Sequence, residues 1–165
     1  PITEELGFRV MLIGIPLFLI FAHKSSFGFF FRSLWHPYRN LHIMQHKRAI
    51  SIIIAVGLFF GLAHIITGEP WSEGKFAQAT ISGIIIGWVY YRCGLISAIL
   101  VHWATNYFVY SYGYIVADLN QISIIDAFSH SLLSTIEIIL IVTGIISVAI
   151  LGLNYVYSKK HELEV

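Results

Sequence analysis

AISIIIAVGLFFGLAHIITG, residues 49–68, decides what kind of chain this is. It carries no formal charge, and about 20 apolar residues are what a helix needs to cross the hydrocarbon core of a bilayer. The rest of the chain agrees. Of 165 residues, 57% are hydrophobic and 12% charged, with a mean hydropathy of +0.77, whereas roughly a quarter of a soluble domain is charged. The sequence therefore predicts an all-α, polytopic transmembrane bundle and a single domain over residues 1–165. A net charge of +1 gives no electrostatic support for a nucleic-acid partner. The lone Cys93 excludes an internal disulfide.

Working outward, residues 95–117 and 138–157 form two further spans, and 76–91 a shorter one in which Gly83 and Gly87 make a small-xxx-small face for close helix contact. A fifth span is expected over 3–22, although its uncharged part, 10–22, is too short to cross alone; if the segment does cross, Glu4, Glu5 and Arg9 lie inside it. Pro16 is expected to kink this span. Lys24, Arg32, Arg39, Lys47 and Arg48 crowd residues 23–48, Arg92 follows the third span, and Lys159 and Lys160 follow the fifth. The loops on the other side, 69–75 and 118–137, hold only Lys75. The positive-inside rule then places 23–48, the turn at 92–94 and the C-terminus in the cytoplasm. Phe27, Phe29, Phe30, Phe31, Trp35 and Tyr38 sit among the basic residues of 23–48, a mixture that suits a stretch lying in the membrane interface. The compact, Ile- and Phe-rich chain points to a multi-pass protein of a bacterial cytoplasmic membrane.

Ionisable groups inside a span are expensive, and each is a functional hypothesis by default. Glu4, Glu5 and Arg9 fall in the first span, His64 in the second, and His102 with Asn106 in the fourth. Glu5 and Arg9 share a helix face and can pair; Glu4 points about 100° away and lacks that partner. His102 and Asn106 also share a face. Each group alone has a structural reading: charge complementing a helix dipole for the acidic pair, interhelical hydrogen bonding for the others. Three spans that are otherwise almost bare of polar groups make a shared site the better reading. His42 and His46 are also four apart and could bind metal, but the flanking Lys47 and Arg48 favour an interfacial stretch. Tyr107, Tyr110, Tyr112 and Tyr114 read first as an aromatic belt, with Tyr107 also a candidate substrate contact. HExxH, GxGD and GxSxG motifs are absent, which disfavours the corresponding zinc, aspartyl and serine hydrolases.

The motifs present have a family resemblance. EELGFR (4–9), FGLAH (60–64) and HWATN (102–106) resemble the EExxxR, FxxxH and HxxxN motifs of the CPBP family, the CAAX-processing and bacteriocin-processing intramembrane proteases also called Abi proteins. YYRCGLISAILVH (90–102) resembles the segment leading into the last histidine. The resemblance covers roughly residues 1–110. It implies a glutamic-type intramembrane peptidase in which Glu4 and His64 activate a water, His102 and Asn106 hold the oxyanion, and Glu5 and Arg9 are mainly structural. Phe60 is a further candidate substrate contact. Glu4, His64 and His102 would also make a zinc ligand set; the metal-free reading is favoured, since Asn is a poor zinc ligand and His102–Asn106 is better explained as a donor pair. Family members usually carry spans ahead of the EExxxR helix, so a chain starting at Pro1 is expected to be truncated or an unusually small member. The substrate expected is a membrane-embedded or lipidated peptide or protein in the bilayer. A non-catalytic immunity or scaffold protein on the same fold is the main alternative, and a small transporter with a carboxylate proton relay a third.

The predicted topology carries one tension. Glu4 and His64 fall near the outer ends of their spans. His102, seven residues into its own span, falls roughly a third to half way across at 1.5 Å per residue. Convergence requires the fourth span to tilt or to begin higher.

Overall fold

The computed structural model describes residues 2–66 and 74–163, and these are helical apart from short connections. The expected loop at 69–75 lies outside the described residues except for Gly74 and Lys75, as do the last two residues of the 49–68 span. By its own contacts the chain falls into two compact units, Pro1–Asn106 and Tyr107–Val165.

In the first unit, the span expected at 3–22 is built in three parts. A short α1 (Ile2–Glu4) runs into a π-helix (Glu5–Gly14), which returns to α geometry in α2 (Ile15–Phe21). The Ile15 amide donates to the Val10 carbonyl, the i→i+5 register of a π-helix. Pro16 sits in the first turn of α2, where a missing N–H is tolerated. The proline thus marks the change of register.

Residues 23–48 are folded rather than looped. Ser26 caps α3 (Phe27–Trp35), its Oγ accepting from the Phe29 amide, and α4 (Pro37–Asn40) follows. Phe29 and Leu34 face inward, while Phe27, Phe31 and Trp35 are exposed.

Three long helices follow: α5 (His46–Ile66), α6 (Lys75–Cys93) and α7 (Leu95–Asn120). Helices therefore stand where spans were expected, with ends that run past the apolar stretches. Among the described residues one of them, α5, is by itself long and apolar enough to cross a membrane.

In lipid, apolar burial between helices brings little free energy, so close packing and polar contacts must hold them. The α5–α6 contact meets that requirement with glycine on both sides. A Cβ at Gly57 would come 3.0 Å from the Ile84 amide nitrogen, and one at Gly83 would come 3.1 Å from the Gly57 Cα. Gly61 lies against the Thr80 hydroxyl. The core continues through Ile13, Leu17, Ile53, Ile86 and Ala98, which joins the first segment to α5, α6 and the start of α7. Gly94, at φ 90°, ends α6 and packs under His36, where a Cβ would lie 2.7 Å from the Trp35 carbonyl. Only glycine fits both the backbone and the space.

The second unit is simpler. The expected loop 118–137 is mostly helical: Ser123 caps α8 (Ile124–Ala127) through the Asp126 amide, and α9 (Ser131–Leu163) begins well before the apolar run at 138. The capping serine is the local cause. Phe128 packs edge-on to Tyr110 at 5.6 Å and against Gly113, folding α8 back onto the end of α7. The described side chains of α9 between 138 and 150 are exposed and almost all apolar.

Candidate active site

The start of the first segment, the first half of α6 and α7 carry the buried Glu5, Arg9, Thr80 and His102, and the last turns of α5 bring Phe60 and His64 beside them. Glu5 and Arg9 pair as their spacing predicts, Oε2 to Nε at 3.2 Å, and both side chains are fully buried. An arginine at the centre of a membrane helix costs about 2.5–3.5 kcal/mol on insertion scales, so one partner is not enough. The guanidinium also lies 4.7 Å over the Phe60 ring, and its Nη2 donates to the Gly83 carbonyl at 3.5 Å. A desolvated cation–π contact contributes about 2 kcal/mol, of the same order as the insertion cost. Arg9 Nη1 and Thr80 Oγ1 have no hydrogen-bond partner among the described residues.

His102 joins α7 to this group. Its Nδ1–H donates to Glu5 Oε1 at 2.8 Å, and its Nε2 lies 3.5 Å from Glu4 Oε2. His102 is buried, whereas the Glu4 side chain is 43% exposed. Glu4 is thus the member of the cluster that opens outward. The π-helix explains how both glutamates reach one imidazole. A wider turn places successive side chains at a somewhat smaller angle than the α-helical 100°, and both glutamates contact the same imidazole. Nothing in the sequence flagged that register.

His64 is half-buried against Phe60. Its Nδ1–H donates to the Phe60 carbonyl at 2.9 Å, which leaves Nε2 as the nitrogen able to accept a proton. Both histidines contact the Phe60 ring, His64 at 4.4 Å and His102 at 6.2 Å by centroids. At 3% exposure, Phe60 acts as the floor that meets both imidazoles and carries Arg9. Asn106 lies one turn beyond His102, and its side chain makes no hydrogen bond among the described residues. Tyr107 is exposed and belongs to the second unit.

The structure therefore brings Glu4, Glu5, Arg9, Phe60 and His102 into one contact cluster, with His64 also against the Phe60 ring. The tension over depth is resolved for Glu4 and His102, which touch. Sequence reasoning missed two supports, the Gly83 carbonyl that accepts from Arg9 and the Gly57/Gly61 face of α5 that lets α6 approach closely. The small residues at i, i+4 in α5 were the available signal for the second. No three His, Cys, Asp or Glu side chains among the described residues stand together as a metal-holding group. The possible zinc set Glu4, His64, His102 is not assembled: both ring nitrogens of His102 face carboxylates, and His64 is turned to a backbone carbonyl.

Glu5, Arg9 and His102 thus form a buried polar cluster between helices of the first unit, with Glu4 at its edge. The model of the Rce1-like family, type II CAAX prenyl endopeptidases, matches residues 1–108, and the chain belongs to that family of CAAX-type proteases. The match takes in the whole first unit and all three motifs. No curated protein and no solved structure matches the chain.

Proposed function

We propose that this chain is a glutamic-type intramembrane endopeptidase that cleaves a membrane-embedded or lipidated protein or peptide. The observation that carries the reading is the contact of Glu4 and Glu5 with one buried imidazole, His102, from a separate helix. Glu4, half-exposed at the edge of the cluster, is the general base that takes a proton from water; a positioned base contributes about 10²–10⁴ in rate. Glu5 fixes a hydrogen on His102 Nδ1 and directs Nε2 to the space beside Glu4. The proton taken from water passes from Glu4 to His102 Nε2, whose N–H donates to the tetrahedral oxygen while Glu5 balances the imidazolium and the Asn106 amide adds a second donor. As the C–N bond breaks, that proton goes to the leaving amine; each donor is worth about 10²–10³ in kcat. His64, with its free Nε2 beside Phe60, is the second proton acceptor. The unfilled hydrogen-bonding atoms of Arg9 and Thr80 suit a site that admits water.

The reading needs no metal, and chelators should leave cleavage unchanged. The family description points to a lipid-modified C-terminal tail as the substrate class. The helices at the expected spans support a multi-pass placement of about five spans, with 23–48 in the interface, in a bacterial cytoplasmic membrane.

The test is cleavage of a membrane-tethered peptide by purified protein. Glu4→Gln should abolish it while the melting temperature stays unchanged. Full cleavage by that variant refutes the role. His64→Ala against His102→Ala then ranks the two imidazoles: the contact with Glu4 predicts the larger loss for His102.

A further inference from the structure

The opposite end of the first unit carries a second polar feature that the protease reading does not use. Between the end of α2 and the start of α5 lies an open groove of about 310 Å³, lined in part by Phe21, His42, Met44, Gln45 and Arg48. The His23 ring lies tilted against the groove residue His42, centroids 4.4 Å apart, and meets Phe29 edge-on at 4.8 Å. A second groove shares His42 and Met44 and is bordered by Tyr38 and His46. Residues 23–48 contain no acidic side chain. His42 and Arg48 thus line a concavity, with His23 close to His42 and Lys24 beside His23, and the segment has no carboxylate to balance them.

We propose that this groove binds the phosphate of an anionic phospholipid headgroup. The charge argues for an anion, and the setting argues that a lipid supplies it. Met44 is 89% exposed and Phe27 79% exposed, so apolar side chains project beside a basic hollow. That pairing fits the headgroup boundary, where basic residues meet anionic lipids and apolar ones enter the acyl region. Phe21 and Met44 line the groove itself and suit the glycerol and first methylenes of a lipid rather than a bare ion. The inference depends on membrane residence and not on catalysis.

Acidity should strengthen the site. His23 sits below the ordinary histidine range, first through lost hydration, then through the like charges of His42 and Lys24. Around it stand His42, Lys24, the Phe29 ring and, across the groove, Arg48. A bound phosphate favours the protonated rings, so binding rises as the pH falls through the histidine range and declines above it.

The experiment uses the full chain, delipidated in neutral detergent. Native mass spectrometry and the melting temperature are read with phosphatidylglycerol, phosphatidylcholine or inorganic phosphate added. Phosphatidylglycerol should be retained and raise the melting temperature, more so at lower pH; the other two should not. Arg48→Gln and His42→Gln should each weaken its retention roughly fivefold, and Arg39→Gln, on α4 outside the groove, by less than about twofold. Should Arg48→Gln fail to fold, Lys24→Gln replaces it. Equal retention by wild type and groove variants, equal loss in the Arg39 variant, equal retention of phosphatidylcholine, or a matching effect of inorganic phosphate overturns the proposal.

Discussion

The two ends of the first unit bury polar groups in opposite ways. At the end holding the first turns of α6, the buried groups are charged: Glu5, Arg9 and His102, with Glu4 at the edge. Several of their hydrogen-bonding atoms are left unfilled. At the other end of α6 the helix's own buried polar groups are neutral phenols, and each is answered, while Ser33 Oγ on α3 has no partner among the described residues. The Tyr90 hydroxyl passes over Gly14 to donate to the Leu34 carbonyl at 2.7 Å, and that of Tyr91 is hydrogen-bonded to His46 Nδ1 at 3.0 Å. Arg92 stays at the surface, 4.0 Å over the Tyr38 ring. A satisfied polar network fixes a fold, whereas a charged and partly unfilled one is poorly explained by stability alone. The difference separates scaffold from site within one helical unit.

Variants can break that separation. The largest expected effect is on rate: Glu4→Gln should lower cleavage by about 10²–10⁴. Next comes stability at the charged end. Arg9→Met leaves Glu5 buried against His102 without its guanidinium, and losing one partner of a buried pair costs about 3–5 kcal/mol. Arg9→Met with Glu5→Gln should be less harmful than Arg9→Met alone, as read by denaturant titration in detergent micelles; a double variant that is worse would show that the pair is not the source of the penalty. Tyr90→Phe should cost about 1–3 kcal/mol by leaving the Leu34 carbonyl unanswered, with cleavage retained at temperatures where the protein is folded. Arg92→Gln should be smallest, about 0.5–1 kcal/mol for an exposed cation–π contact, and visible only as a slight drop in melting temperature.

Much of this was legible in the sequence, for identifiable reasons. Uncharged runs such as 49–68 forced helices, and Gly83 and Gly87 showed where helices would touch. Glu5 and Arg9 were readable as a pair because four residues return a helix to the same face. Other features depended on contacts that no local pattern encodes. The π register of Glu5–Gly14 is a choice of hydrogen-bond partner along the chain, and only Pro16 just beyond it hints at a change. The contact of Glu4 with His102 was obscured because hydropathy fixes the length of a span but not its depth or tilt, which packing decides. Phe60 was visible as part of a motif, but its service as a platform for Arg9 required the helices to be placed. The helical turn at 124–127 was missed because a single capping serine, Ser123, carried its signal.

Charge at one end of α6 is thus assigned to chemistry and the phenols at the other to the fold. Parallel measurement of cleavage and melting temperature for Glu4→Gln and Tyr90→Phe tests this assignment directly. The expected result is a folded, inactive protein for the first and a less stable, active one for the second. An unstable Glu4→Gln protein, or a Tyr90→Phe protein that melts normally and fails to cleave, would contradict it.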